Sequence, residues 1–343
     1  MRKPISAARL PLIVLALVTV LVAAACSSSS AGAGGSSGSG SDKASTTSLS
    51  NVTLNIGDQK GTGAQALLTA AGLIKKLPFH AVWSDFTSGP PMLQAAGTGS
   101  VDVGGVGDAP PVVAAAGNYK VAMVGARTAN PLSAALLLPK NSPIHSVAQL
   151  RGKKIAMAPG SSANYHLLAV LAKAGIPVSD VHLVDLQPAQ ALAAFASGQV
   201  DAWDVWSPYI EQAVAQDHAR VLVTGVPYGA TYSFEVASRA ALANPAKARA
   251  IRAYLKLLNQ AYVWSANHPA GWATSWAAAT GLPASVMLTA SKDSETKPVP
   301  VDSAVLSSEQ SVADAFASAK LIPAKPVMSH FAVSTFNDTV PNS

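Results

Sequence analysis

Short apolar strands alternate with helical stretches from residue 51 onward, and this alternation restricts the fold more than any other feature of the chain. It is typical of a mostly parallel sheet flanked by helices. One phrase occurs twice, since residues 96–104 read AGTGSVDVG and residues 195–203 read FASGQVDAW, with G-x-V-D in common. Each copy follows a helical run and leads into an unusual loop. The sequence therefore predicts two similar α/β lobes that bind a ligand at the carboxyl ends of their strands.

The order of the predicted elements also gives the limits of the lobes. We expect residues 51–132 and 233–343 to form the first lobe and residues 133–232 to form the second. Two crossovers then join the lobes, and the cleft between them is the expected binding site. The residues after 290 are expected to form an irregular excursion back to the first lobe.

Composition and charge exclude several classes of protein. A chain of 343 residues with 49% hydrophobic and 12% charged residues fits a globular α/β protein better than a disordered one. Three of the basic residues behind the net charge of +6 lie before residue 26, so the rest of the chain is not basic enough to indicate nucleic-acid binding. The seven histidines lack metal-ligand spacing and no phosphate-binding P-loop motif occurs. No metal or cofactor is therefore predicted, and any ATPase must be another chain.

The first 50 residues predict export and anchoring. A basic start and an apolar run from Leu10 to Val22 are typical of a secretory signal peptide, here residues 1–25. The segment resembles a bacterial lipoprotein signal in which the single cysteine, Cys26, is acylated, although Ala23 stands where that signal usually has leucine. The Gly/Ser-rich residues 26–50 would form a flexible tether at the extracytoplasmic face of the membrane. The alternative is an ordinary signal peptide or an uncleaved anchor with an incidental cysteine.

Three predicted helices begin with similar residues. The three starts are Ser88-Gly89, Gly107-Asp108 and Ser161-Ser162. Good N-capping alone explains each of them. Acids in the first turn usually complement the positive end of a helix, and the starts at Ser88 and Ser161 have none, so they leave a site for an external anion. Asp108 either caps its own helix or accepts a hydrogen bond from the ligand.

Aromatic residues follow the second copy of the repeat. Trp203 and Trp206 flank Asp204, and Tyr232 lies where the chain is expected to cross back between the lobes. The tryptophans either anchor the packing or form an apolar wall for the organic part of a ligand. Asp204 either selects a cationic amine on the ligand or faces solvent.

Six phrases, in order, resemble a known family. They are GDQKG (57–61), WSDFTSGPP (83–91), GSVDVGGVGDAPP (99–111), LRGKKIA (150–156), GSSANYHLL (160–168) and VDAWDVWSPY (200–209). The chain resembles the solute-binding proteins of ABC transporters, specifically the aliphatic sulfonate, taurine and nitrate group. The resemblance implies a monomeric, two-lobed periplasmic-binding-protein fold of type II. It also implies hinge closure on the ligand and delivery to a permease coupled to an ATPase.

The resemblance also implies the positions of the ligand contacts. They would fall at Gln59, Ser88, Gly89, Gly107, Asp108, Ser161, Ser162, Trp203 and Tyr232. The chain departs from the family pattern at two places: Ser207 replaces the aspartate of the usual W-D-P-Y, and Asp204 stands where a small residue is usual.

These features together predict a lipid-anchored receptor, not an enzyme, for a small organic anion such as an alkanesulfonate. Nitrate, a sulfate ester or a pyrimidine precursor would fit the same site. Enzymes also occur on this fold, but the desulfinase type needs a cysteine nucleophile and Cys26 is taken by the lipid site. A third hypothesis is an adhesive or regulatory lipoprotein that binds no small ligand.

Overall fold

The computed structural model describes residues 48–59, 63–228 and 230–341. The predicted signal peptide, Cys26 and residues 26–47 of the predicted tether lie outside the described residues, as do residues 60 and 61 of the GDQKG phrase. No helix in the described ranges is both long enough and apolar enough to cross a membrane.

The secondary structure alternates as the sequence predicts. The strands are β1 (Thr53–Gln59), β2 (His80–Phe86), β3 (Val103–Val106), β4 (Val121–Thr128), β5 (Ala134–Leu138), β6 (Lys154–Met157), β7 (His182–Asp185), β8 (Ala202–Trp206), β9 (Arg220–Thr224), β10 (Tyr232–Ser238) and β11 (Pro298–Val299). The helices are α1 (Ala64–Ala70), α2 (Gly89–Gly97), α3 (Ala109–Ala116), α4 (Ser162–Lys173), α5 (Pro188–Ala196), α6 (Tyr209–Asp217), α7 (Arg239–Ala243), α8 (Pro245–Asn267), α9 (Pro269–Thr280), α10 (Ala284–Asp293) and α11 (Ser303–Ser318).

The first sheet has the strand order β11-β4-β10-β3-β1-β2. β1 pairs in parallel with β2 and β3, whereas β10 runs antiparallel to both β3 and β4. Apolar side chains cover both faces of the sheet. One face packs against α1, α8, α9 and α10, and the other packs against α2, α3 and α11. The sheet is therefore the middle layer of three.

The second sheet repeats this plan with the order β7-β6-β8-β5-β9. β6 pairs in parallel with β7 and β8, and β5 is the reversed strand between β8 and β9. All five residues of β5 are buried, as expected of an apolar strand that helices cover on both faces. In both sheets most strands run in one direction. β10, next to β3, and the edge strand β11 are reversed in the first sheet, and β5, next to β8, is reversed in the second.

The two G-x-V-D phrases have the same structural role in the two sheets. Gly99 and Gly198 follow α2 and α5 with φ of 85° and 70°, the left-handed conformation that glycine adopts without strain. The aspartate of each phrase then accepts a hydrogen bond from the parallel strand next to its own, β1 in the first sheet and β6 in the second. Asn55 N donates to Asp102 Oδ2 and Lys154 N donates to Asp201 Oδ2, both at 2.8 Å. The repeat therefore marks two copies of one β-α-β arrangement.

The chain crosses between the sheets after β4 and returns after β9. The predicted lobe limits at residues 132 and 232 lie in or next to these connections, and we keep them as a proposal. The prediction of an irregular segment after residue 290 is wrong. Although β11 does return to the first sheet and pairs with β4, the 16-residue helix α11 follows it, with Val305, Val312 and Phe316 buried against the first sheet.

Candidate functional site

A cavity of about 220 Å³ lies between the two sheets. The final residues of four strands line it, namely Gln59 of β1, Val106 of β3, Thr128 of β4 and Trp206 of β8. The cavity therefore lies at the carboxyl ends of strands from both sheets, where open α/β sheets bind ligands. Of the residues that the sequence marked for ligand binding, the lining includes Gln59, Gly89, Gly107, Ser161, Ser162 and Trp206.

The starts of α2, α3 and α4 meet at this cavity. A Cβ on Gly89 would lie 2.7 Å from the Pro110 ring, so α2 and α3 begin in direct contact. A Cβ on Gly107 would lie 1.9 Å from Ser162 Oγ, which brings the start of α3 against that of α4. The second contact joins a helix of the first sheet to a helix of the second. The three starts that the sequence singled out are therefore neighbours in space.

The protein's own carboxylates occupy some helix starts. Asp108 caps α3 by accepting from Ala109 N at 2.8 Å, which is one of the two roles expected for it. Burial raises the pKa of Asp108 to about 6, although the nearby Ser162 hydroxyl opposes this. Asp58 accepts from the backbone N–H groups of Gln59, Ala64 and Gln65 and so fills the start of α1.

The starts of α2 and α4 differ, because neither has an acidic residue in its first turn. The Ser88 side chain does not cap α2. Its Oγ instead donates to Gln187 Oε1 at 2.8 Å, which links the start of α2 to the residue before α5 of the second sheet. Positive helix ends without a carboxylate attract anions, so α2 and α4 supply the electrostatic part of an anion site.

Ser161 serves the helix itself. Its Oγ accepts from Asn164 N at 3.3 Å and donates to the Ala158 carbonyl at 2.7 Å, so both functions of the hydroxyl are used within the second lobe. Ser162, which follows it, lies at the cavity beside Gly107. Of the two predicted serines, Ser162 is therefore the one with a hydroxyl directed toward the other lobe.

We expect Ser161→Ala to lower the free energy of unfolding by about 1 kcal/mol, because it removes the N-cap of α4. Chemical denaturation followed by circular dichroism measures this loss. Ser161→Thr keeps a hydroxyl and is the matched control. Equal stability of the alanine variant and the wild-type protein would contradict the capping role.

Two of the predicted aromatic contacts lie away from the cavity lining. Trp203 is 1% exposed and packs between Phe195 and Tyr209, with ring centroids 5.8 and 6.1 Å away. The expectation that Trp203 covers the ligand is therefore wrong, because its position in β8 points the ring into the core of the second lobe. Trp206, at the end of the same strand, does reach the cavity. Tyr232 begins β10 beside Thr128 and is half-buried.

Asp204 contacts neither solvent nor the cavity, so both expectations for it are corrected. It is fully buried, and both of its carboxylate oxygens lie 2.9 Å from His166 Nδ1. His166 Nε2 donates to the Thr224 carbonyl at 3.1 Å, which makes the pair a buried ion pair joining α4, β8 and β9. Burial opposes the charge on His166, but the Asp204 carboxylate outweighs it and raises the pKa of the imidazole.

Several cavity residues were not identified from the sequence. The main ones are Asp58, Arg127, Glu235, Tyr262, Trp272 and Trp276. Two features of the sequence could have identified some of them. A charged residue stands inside an apolar strand in FEV at 234–236, and an arginine stands at the end of β4 just before the crossover. Within the described ranges, no cluster of histidine, aspartate or glutamate side chains could hold a metal ion.

Solved structures share this arrangement. The alkanesulfonate-binding protein SsuA from Xanthomonas axonopodis pv. citri, solved bound to MOPS, matches with a TM-score of 0.78 and 33% identity over 83% of this chain and 99% of that chain. The periplasmic aliphatic sulphonate binding protein SsuA from Escherichia coli matches with a TM-score of 0.71 and 34% identity, over 81% of this chain and 91% of that chain. The fold is therefore that of the two-lobed periplasmic binding proteins, as predicted.

Sequence comparison gives the same class. The profile of a family described as NMT1/THI5 like matches residues 88–271. A protein of Escherichia coli (strain K12) that is named for binding aliphatic sulfonates is 35% identical over 278 residues, which are 79% of this chain and 86% of that protein. The chain belongs to the NMT1/THI5-like family. These relatives are named as sulfonate-binding proteins and not as enzymes, which confirms the predicted resemblance.

Proposed function

We propose that this chain is the substrate-binding component of an ABC importer and captures a small organic sulfonate in the cleft between its lobes. The observation that carries the proposal is the pair of helix starts at the cavity, α2 and α4, that the protein's own acids leave unfilled. The choice of a sulfonate as the ligand rests on the relatives described above, which are named for binding sulfonates. The lobes, as proposed, comprise residues 51–132 with 233–343, and residues 133–232.

The sulfonate group binds between the two helix starts. Gly89 at the start of α2 allows close approach of the ligand to the backbone, and Ser162 at the start of α4 adds a hydroxyl donor. Gln59 Nε2 donates a hydrogen bond to the Gly105 carbonyl at 2.9 Å, which fixes this side chain in the cavity wall. Trp206 supports the organic part of the ligand.

Ligand binding and lobe closure are coupled, because the donors come from different lobes. α2 belongs to the first sheet and α4 to the second, so a single anion reaches both sets of amides only when the lobes are closed. A ligand that binds the closed form better shifts the population toward it. The hydrogen bond from Ser88 to Gln187 adds a direct contact across the cleft in that form.

The size of the cavity favours an organic anion over a bare inorganic one. One water molecule needs only about 10–15 Å³ of such space, and the cavity offers about 220 Å³. A nitrate ion would leave most of this volume to water. An alkanesulfonate fills it with a head group and an apolar tail.

Location and partners follow from the same function. Acylation of Cys26 and a tether over residues 26–50 would keep the binding protein at the extracytoplasmic face of the membrane, next to the permease that receives the ligand. The chain acts as a monomer, and the ATPase that drives import is a separate subunit.

Isothermal titration calorimetry with propane-1-sulfonate tests the function. We expect binding by the wild-type protein and a loss of about 1.5–3 kcal/mol in Ser162→Ala, roughly a 10- to 150-fold increase in Kd, because a hydrogen bond to a charged group is removed. Ser303→Ala is the matched control, since Ser303 is the exposed first residue of α11, away from the cavity. The control should bind like the wild type.

The same titrations with nitrate, methyl sulfate and a hydroxymethylpyrimidine test the alternatives. Tight binding of one of these together with no binding of sulfonates would overturn the proposed substrate. Unchanged sulfonate affinity in Ser162→Ala would overturn the proposed anion site.

A further inference from the structure

β10 contributes a buried carboxylate, that of Glu235, to the cavity, and only one of its two oxygens has a partner among the described residues. Glu235 is 4% exposed and lines the cavity. Its Oε1 lies 3.1 Å from Arg127 Nη1, whereas its Oε2 is buried without a hydrogen-bond partner among the described residues. A buried carboxylate oxygen without a donor is costly, so a group that completes it from the cavity is favoured.

The neighbouring strands leave space for this carboxylate. Glu235 pairs with Gly105 of β3 and with Gly125 of β4, both of which lack a side chain. A Cβ on Gly105 would lie 2.7 Å from Glu235 Oε1. Glycine at this position therefore lets the acidic side chain lie over the sheet next to the cavity.

Acids outnumber bases around Glu235. The buried Asp58 carboxylate lies close enough to raise the pKa of Glu235, while Arg127 supplies a single positive charge. The Arg127 guanidinium lies 5.0 Å from the centre of the Tyr262 ring, so its position is fixed from two sides. When both carboxylates are ionised, the single guanidinium leaves one negative charge, so a cationic ligand stabilises the ionised state.

Aromatic rings form the rest of this end of the cavity. Tyr262, Trp272 and Trp276 all line it, and the two tryptophans stack with centroids 5.1 Å apart at 15°. The faces of such rings attract ammonium groups, and an acid beside them strengthens that preference. The Tyr254 hydroxyl and the Trp276 ring N–H are also buried and have no partner among the described residues.

We propose that Glu235 Oε2 receives a protonated amine of the ligand, so that the cavity binds a zwitterion with a sulfonate at the helix starts and an ammonium at the acidic and aromatic end. The inference rests on the proposed sulfonate function and narrows its substrate class to aminoalkanesulfonates. Trp272 and Trp276 then enclose the methylene chain and the cation.

Two ligands of equal length test the proposal by calorimetry. We expect 3-aminopropane-1-sulfonate to bind the wild-type protein at least about tenfold more tightly than propane-1-sulfonate, and Glu235→Gln to lose most of that preference. Asp185→Asn, at an exposed carboxylate outside the cavity lining, is the matched control and should keep it. Equal affinity of the two ligands for the wild type, or an unchanged preference in Glu235→Gln, would overturn the amine subsite.

The pH dependence of the unmodified protein gives a readout that does not depend on a variant folding. Burial raises the pKa of Glu235 to about 7 and that of Asp58 to about 6. Burial also raises the pKa of Tyr254 and Tyr262, which stay neutral, and the Arg127 guanidinium faces Glu235 from β4. An amine keeps its proton below about pH 10. As pH falls through 7 and 6 the carboxylates become neutral, so affinity for the aminosulfonate should fall while affinity for propane-1-sulfonate does not. Parallel curves would overturn the proposal.

A third ligand separates this inference from the proposed function. Binding of 4-aminobutanoate that depends on Glu235, with no binding of either sulfonate, would overturn the sulfonate assignment and support the amine subsite. Binding of propane-1-sulfonate without any preference for an amine would support the function and overturn the subsite.

Discussion

Asp204→Ala is expected to lower the free energy of unfolding by about 3–5 kcal/mol, because it leaves the buried His166 imidazole without its counter-ion. The pair lies in the middle of the second lobe, where β8, α4 and β9 meet, and neither side chain is more than 1% exposed. His166 must then either lose its proton or remain as an unpaired buried charge. Urea denaturation at pH 7 measures the loss, and Asp185→Ala at the exposed end of β7 is the matched control.

A double variant distinguishes the ion pair from simple packing. Replacing both partners of a buried pair by apolar side chains is often close to neutral, whereas replacing one is not. The variant His166→Leu with Asp204→Leu should therefore be more stable than either single leucine variant. If the two single losses simply add in the double variant, the residues do not act as a pair.

Asp58→Ala is the second large effect that we expect, a loss of about 2–5 kcal/mol in the free energy of unfolding. The Asp58 carboxylate accepts three backbone N–H groups at 2.8–3.0 Å, and its removal takes this acceptor away from the start of α1. Asp58→Asn keeps one side-chain acceptor oxygen and removes a buried charge. It should retain most of the stability in the same denaturation experiment.

The two Asp58 variants also separate hydrogen bonding from charge. Burial raises the pKa of Asp58 to about 6, so the charge itself is held at a cost that asparagine avoids. If the asparagine variant is as unstable as the alanine variant, the charge stabilises α1 and the acceptor atoms alone do not suffice. The start of α1 already holds the Asp58 carboxylate and so has no place for an external anion, unlike the starts of α2 and α4.

Local sequence signals were sufficient for the parts of the fold that depend on neighbouring residues. The alternation of apolar strands with helical stretches predicted α/β lobes, and the structure contains two sheets flanked by helices. The prolines and serines at the helix starts, and the glycines that end α2 and α5, act through backbone conformation within a few residues. These signals can be read without knowledge of the tertiary structure.

The identity of the cavity residues depended on contacts between distant parts of the chain. Arg127 and Glu235 are 108 residues apart, and neither belongs to one of the phrases that carried the family resemblance. The helix α11 was missed because its sequence follows a polar stretch, and its stability comes from burial against α3 and the first sheet.

The sequence by itself determined the repeated β-α-β plan, the two-lobed class and the helix starts that can hold an anion, because each is encoded by spacing and by residues close in the chain. Only the tertiary structure decided which side chains line the cavity. Trp203 and Trp206 are three residues apart on one strand, yet one ring is buried in the core and the other lines the cavity. Asp204 forms a buried ion pair with His166, 38 residues away. Strand alternation places the two tryptophan rings on opposite faces of the sheet, but packing decides which face meets the cavity and which partner another element supplies.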